Sequence, residues 1–187
     1  MIAGPSGVGK GTLVRRVLER HPEVRLSVSA TTRAPRPAER DGVDYEFVSD
    51  ERFDELVRQG ALLEWAWVVG HRSGTPAEPV ERELAEGHDV LLEIDVQGAR
   101  QVKARVPEAV LVFLAPPSMA ELERRLRSRG TEDDERLAVR LATAGAEMEE
   151  TGYFDHVVVN DCLAEATAQV EAIIQTSRSP TQGPMHP

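Results

Sequence analysis

Residues 4–12 read GPSGVGKGT, a glycine-rich run that closes on a lysine. Gly4, Gly9 and Lys10 fit the spacing G-x-x-x-x-G-K-[S/T], a loop whose glycines let successive backbone N–H groups turn toward one anion. A helix that starts at such a loop adds its positive end, and the lysine ammonium reaches the terminal phosphates. The pattern predicts a loop between a buried strand and a helix, with Gly4, Pro5, Ser6, Gly7, Val8, Gly9, Lys10, Gly11 and Thr12 around the phosphates of a nucleotide. One letter departs from it. Gly11 stands where Ser or Thr holds a divalent metal ion, so Thr12, one place later, is expected to reach that ion directly or through water.

The flanks agree with the loop. Downstream, GTLVRRVLERH sets Leu13, Val14, Val17 and Leu18 on one face of a helix. Upstream only residues 1–3, MIA, serve as the strand, against about five or six residues in most strands, and the strand is expected to continue in residues preceding this chain. Farther on, HDVLLEIDV, AVLVFLAPP and HVVVN are apolar runs of the buried parallel type. Between them lie the helical stretches AEPVERELAEG, VQGARQVKARV and SMAELERRLRSR. Ser118 with Glu121 reads as a capping box, repeated by Thr131 with Asp134. Strand alternating with helix implies an α/β fold, a parallel sheet of about five strands with helices on both faces.

Residues 33–80 break that alternation. RLSVSATTRAPRP gives a strand at Leu26–Ser29 and a loop interrupted by Pro35 and Pro37. DGVDYEFVS gives a turn at Asp41-Gly42 and a strand, and SDERFDELVRQG a helix begun by Ser49 or Asp50 and stopped by Gly60. ALLEWAWVVGHRSGTP is a hairpin turning near Gly70. The expected organisation is a core of residues 1–32 and 81–176, a mixed α/β insertion at 33–80, and a disordered tail at 177–187 rich in Pro, Gly and Ser.

Composition sets limits. A chain of 187 residues is one domain of ordinary size. Its net charge of −10 argues against general affinity for nucleic acid or anionic membranes, which rests on a broad basic surface. There is no apolar run of membrane-spanning length and no basic-then-apolar leader, and the single Cys162 has no internal disulfide partner. A soluble protein of the reducing cytoplasm is expected. The 5 histidines are scattered, with no zinc-type cluster, and Cys162 reads as packing near the start of the last helix.

The segments GPSGVGK, SVSATTRAPR, DYEFVS, LLEWA, LLEIDVQGA, FLAPPS, RLRSRGT and VVVND, in that order, resemble the guanylate kinase family from Gly4 to about Leu163. The resemblance implies a P-loop nucleoside monophosphate kinase over residues 1–176, with the insertion binding GMP and a helical lid at about 127–140 closing over ATP. It implies transfer of the γ-phosphate of ATP to GMP, giving ADP and GDP, with Mg2+ as cofactor and only these small molecules as partners. On this chain it implies Glu64 at the guanine N–H edge with hydroxyls from Ser29 and Thr75, and Arg33, Arg36 and Tyr45 at the GMP phosphate. Asp95 faces the acceptor and the metal waters, Lys10, Arg129 and Arg140 gather the transferring phosphate, and Asn160 in VVVND belongs to the ATP site. Arg125 is a lesser candidate.

These residue types suit the chemistry. Guanine shows an O6 acceptor beside N1–H and N2–H donors, which a hydroxyl and a carboxylate complement. Adenine reverses the pattern, and each unpaired buried polar group costs about 1–3 kcal/mol. Arginine grips phosphate through forked contacts. Glu93 and Asp95, two apart on a strand, share a face near its carboxyl end, with Glu93 the expected structural acceptor of the pair. The plainer readings are two solvated loop arginines at Arg33 and Arg36, and a water-facing strand-edge carboxylate at Glu64. Ser73 stands where the family has a tyrosine, so a phenolic contact to the GMP phosphate is expected to be lost, with Arg72 or His71 as substitutes. Two rivals remain. A non-catalytic module that binds phosphopeptides is disfavoured by the intact Gly4–Lys10 loop, and a kinase of another small acceptor by Glu64 with Ser29.

Overall fold

The computed structural model describes residues 1–68, 70–128 and 134–178. Arg129, Thr131 and residues 179–187 lie outside the described residues. Along the chain, β1 (Ile2–Ala3) leads through the glycine loop into α1 (Lys10–Arg20). β2 (Arg25–Leu26), β3 (Ala30–Thr31), β4 (Glu46–Phe47), α2 (Asp50–Arg58) and the hairpin β5 (Leu62–Val68) and β6 (His71–Pro76) follow. Then come α3 (Ala77–Ala85), β7 (Val90–Leu91), α4 (Val96–Arg105), β8 (Val112–Ala115), α5 (Met119–Ser128) and α6 (Asp134–Glu149). A 3-10 turn (Glu150–Tyr153), β9 (His156–Val159) and α7 (Leu163–Arg178) complete it.

The core strands all pair in parallel, and a bridge from Ile2 to Glu93 joins β1 to the end of β7. Their order is therefore β2-β7-β1-β8-β9, with the loop-bearing strand in the middle. Short as it is, β1 is bonded on both sides: Ile2 N–H donates to Leu92 O at 2.9 Å, and Val112 N–H donates to Met1 O at 2.9 Å. Period-two alternation sorts the side chains. Ile2, Leu91, Val112, Leu114 and Val158 pack against α1, α5, α6 and α7, while Ala3, Leu92, Leu111, Phe113 and Ala115 pack against α3 and α4. Burying each Leu, Val, Ile or Phe contributes roughly 1.5–3 kcal/mol.

The strand expected at Leu26–Ser29 is divided. Arg25–Leu26 pairs with β7 in the core, whereas Ala30–Thr31 pairs with β4 and β6 in a second sheet of order β4-β3-β6-β5. Residues 27–29 make the crossing, and the second sheet has its own core of Ala30, Phe53, Leu56 and Leu62. Ser49 Oγ accepts from Arg52 N–H at 3.2 Å to cap α2. Ser118 Oγ likewise accepts from Glu121 N–H at 3.1 Å, but the Glu121 carboxylate takes Arg124 and Arg125 instead of closing the box.

Two expectations are corrected here. The helix α7 continues to Arg178, into the stretch expected as tail, because Arg178 ion-pairs with Glu23 at 2.9 Å and with Asp89. Cys162 is exposed rather than packed, its carbonyl accepting from Ala166 N–H at 3.0 Å at the head of α7. Among the described residues, no helix is long and apolar enough to cross a membrane.

Candidate active site

The glycine loop turns where side chains cannot follow. Gly4 has φ 144°, and a Cβ there would lie 2.3 Å from Leu114 O; Gly9 has φ 101°, and its Cβ would lie 2.7 Å from Asn160 Nδ2. Lys10 folds back over the loop, its Nζ donating to Gly4 O at 2.6 Å and Pro5 O at 3.2 Å. From below, Asn160 Nδ2 donates to Val8 O at 2.8 Å. Arg125 spans the same region, donating to Val8 O at 3.3 Å, Asn160 O at 3.0 Å and Glu121 Oε1 at 2.8 Å. Asn160 and Arg125 thus brace the loop. From α6, Arg140 Nη1 donates to Ser6 Oγ at 2.8 Å. Arg129 lies outside the described residues.

Gly11 and Thr12 point to different places. A Cβ at Gly11 would sit 3.5 Å from Glu93 Oε2, whereas Thr12 lines a cavity of about 320 Å3 with Gly9, Arg125, Ser128, Asn160 and Asp161. Successive helical residues are turned by roughly 100°. The direct metal contact expected of Thr12 does not fit this placement, because the position facing the carboxylates is Gly11.

Asp95 Oδ1 accepts from Gly98 N–H at 2.6 Å and caps α4, so a structural bond falls to Asp95 as well, where Glu93 was the expected structural acceptor of the pair. Burial raises the pKa of both carboxyls, and the Lys10 ammonium opposes the rise in each. Glu147 joins them from α6: burial raises its pKa, Lys10 lowers it and Asp95 raises it. It stands seven residues beyond Arg140, on the same helix face, a spacing that would have marked it in the sequence. These oxygen donors beside Lys10 suit a hard cation such as Mg2+, which keeps several of its waters. Elsewhere, despite the scatter of histidines in sequence, His88 meets Glu83 and Glu86 within 4.8 Å at the C-terminal end of α3.

The second sheet gathers another set. Register pairs Ala30 with Gly74 and Glu64 with Thr75, which brings Ser29, Thr75 and Glu64 into one cross-strand row. Glu64 is 4% exposed, so it is no water-facing edge carboxylate. Thr75 Oγ1 donates to its Oε1 at 2.7 Å, yet burial, helped by the Asp95 charge, pushes its pKa up to about 7. Arg33 is half-buried and forked onto Glu39 through two bonds of 2.9 Å, its guanidinium 5.3 Å from the Tyr45 ring and 5.8 Å from the Phe47 ring. Glu39 also accepts from Arg36 N–H at 2.7 Å and so draws Arg33, Arg36 and Tyr45 together. The Arg36 side chain itself is exposed. Glu39 was not foreseen, although it continues the three-residue step of Arg33 and Arg36.

A family model described as guanylate kinase matches residues 1–177. The chain belongs to the guanylate kinase family. It is 57% identical over 171 residues to a guanylate kinase of Synechococcus sp. (strain CC9311), covering 91% of this chain and 90% of that one. It is 55% identical over 174 residues to a guanylate kinase of Thermobifida fusca (strain YX), covering 93% and 89%. A crystal structure of guanylate kinase from Anaplasma phagocytophilum aligns with a TM-score of 0.81 at 33% identity, over 97% of this chain and 87% of that one. The fold is that of the P-loop kinases.

Ser73 is the position at which a departure from the guanylate kinase family was expected. It stands opposite Thr31 and Ala66 with the parity of Thr75. Arg72 has the opposite parity and is spent on α2: Nη2 donates to Asp50 Oδ1 at 2.6 Å, Nη1 bonds Asp54, and the guanidinium lies 4.8 Å from the Phe53 ring. Its guanidinium is thus engaged away from the Ser73 face, where a substitute contact was expected of it. His71 shares the parity of Ser73 and is exposed.

Proposed function

We infer that this guanylate kinase transfers the γ-phosphate of ATP to GMP, giving ADP and GDP, in the cytoplasmic recycling of guanine nucleotides. The observation that carries the reading is Glu64, a buried carboxylate set beside Thr75 and Ser29 and, among the described residues, with no ion-pair partner. Such a group meets the paired N–H donors of guanine, and the two hydroxyls complete the edge.

Phosphoryl transfer passes through a loose transition state whose charge sits on the equatorial oxygens, so alignment and positive charge do most of the catalysis. The GMP phosphate is already ionised and needs no general base. Arg33, Arg36 and Tyr45 hold it, with Glu39 keeping the Arg33 fork over the Tyr45 ring. Lys10 exchanges the carbonyls of Gly4 and Pro5 for the β- and γ-phosphates of ATP, whose loop contacts run from Gly4 to Thr12. Arg140, beside Ser6, and Arg129 add charge at the moving phosphoryl group. Glu93, Asp95 and Glu147 suit Mg2+ held through water, which when bound neutralises charge on the phosphates. The insertion at 33–80 and the lid at 127–140 close over the two substrates, exclude water and suppress ATP hydrolysis.

The test is Glu64→Ala, assayed for GMP-dependent ADP formation. A fall in kcat/KM of roughly a hundredfold is expected from two lost hydrogen bonds to a desolvated base. Turnover of GMP close to the parent would remove Glu64 from base recognition.

A further inference from the structure

Glu64 lies on β5, an edge strand of the second sheet. An edge strand presents alternate N–H and C=O groups outward, with no further strand to receive them. At Trp65, next to Glu64, both go to one side chain. Gln101 on α4 accepts from Trp65 N–H at 3.2 Å and donates through Nε2 to Trp65 O at 2.7 Å. The side-chain amide pairs with the strand as a neighbouring peptide would.

Two other positions on the same face of α4 follow the strand. Arg105 Nη1 donates to Leu62 O at 2.6 Å, where the register shift between Leu62 and Glu64 interrupts the regular pairing. Gly98 leaves a notch: a Cβ there would lie 2.4 Å from Glu64 Oε2. The Glu64 carboxylate is thus bounded on one side by the Thr75 hydroxyl, which takes Oε1, and on the other by bare α4 backbone against Oε2. The height of β5 against α4 decides where Oε2 stands.

We propose that Gln101 is a positioning residue for acceptor selection, tying Trp65 to α4 so that the neighbouring Glu64 meets guanine N1–H and N2–H together. The proposal rests on the assignment of Glu64 to the guanine edge. With both bonds removed, the hydrogen bonds that remain to β5 among the described residues come from β6 on its inner side and from Arg105. The apolar packing of Leu62 and Leu63, which has no direction of its own, lets the strand shift across the Gly98 notch. A displaced carboxylate loses one of two N–H donors. The acceptor that reports this is inosine monophosphate, which keeps O6 and N1–H and lacks the 2-amino group.

The experiment compares kcat/KM for GMP and for inosine monophosphate in the parent, in Gln101→Met and in Glu64→Gln, with thermal midpoints alongside. Gln101→Met keeps the bulk and removes both bonds; Gln101→Asn, one methylene too short to span, serves if the Met variant fails to fold. The expected result is a fall of roughly tenfold in the GMP preference of the Gln101 variants. It should arise from GMP KM, with saturated kcat within about twofold of the parent. An unchanged preference in the Gln101 variants, with the preference lost in Glu64→Gln, overturns the positioning role and leaves the Glu64 assignment standing. An equal loss of activity toward both acceptors also overturns it, since that is a structural role alone. An unchanged preference in Glu64→Gln overturns the assignment beneath it.

Discussion

Thr75 Oγ1 donates to Glu64 Oε1 at 2.7 Å across neighbouring strands, and that bond is the main support for the ionised form of a carboxyl that burial has pushed up to about 7. The guanine edge needs this carboxyl ionised. GMP affinity should therefore strengthen as pH rises toward 7, by up to about tenfold per unit, and level off above it. The GMP phosphate titrates nearby, with a second pKa of about 6, so the check is to subtract the profile of Glu64→Gln, in which only the phosphate contribution remains. For folding of the free protein the sign is opposite. A carboxyl whose pKa is raised above its ordinary 4.5 contributes stability that is present below 4.5 and lost as pH rises through about 7.

Thr75→Val removes the hydroxyl donor and keeps the shape. The Glu64 carboxyl loses the hydrogen bond that favours its charge, so the midpoint of the GMP binding profile should move further up in pH. Binding of GMP measured at pH 6 and at pH 8 separates this from a uniform loss: the deficit should be larger at pH 6.

Gly4 and Gly11 should respond in opposite ways. Gly4→Ala forces a Cβ to 2.3 Å from Leu114 O at φ 144°, and should cost more than about 2 kcal/mol in denaturant unfolding. Gly11→Ser places its Cβ at an ordinary 3.5 Å from Glu93 Oε2. It should leave stability within about 0.5 kcal/mol or improve it, and it returns a hydroxyl to the metal side, so half-saturating Mg2+ in the ADP-release assay should fall.

Arg72→Met should lower the thermal midpoint while leaving the KM for GMP within about threefold of the parent. The reason is its parity on β6: the guanidinium ties α2 through Asp50 and Asp54 and does not face the Ser73 side. A large rise in KM with an unchanged midpoint would instead put Arg72 in the GMP phosphate clamp.

The parts of this architecture that were legible in the sequence are those written in local periodicity. The unbroken apolar run AVLVFLAPP marked a strand buried on both faces, as Val112 and Leu114 in one cluster and Phe113 and Ala115 in the other bear out, and the loop spacing located Gly4, Gly9 and Lys10. What was not legible depends on partners distant in the chain. Residues Leu26 to Ser29 keep one alternating pattern while passing between two sheets, so no local signal marks the crossing. Glu93 and Asp95 share face and spacing, and only the start of α4 at Val96 makes Asp95 the cap. Gln101 looks like a solvated helix residue until β5 is found alongside it.

Acceptor choice is tested most directly by coupled ADP release with ATP and Mg2+, comparing GMP, AMP and no acceptor. A guanine-selective site predicts strong release with GMP and little above background with AMP, because the adenine amine and ring acceptor mispair with Glu64 and its neighbouring hydroxyls. Release that is equal with AMP, or absent with GMP while GMP still binds, would contradict it.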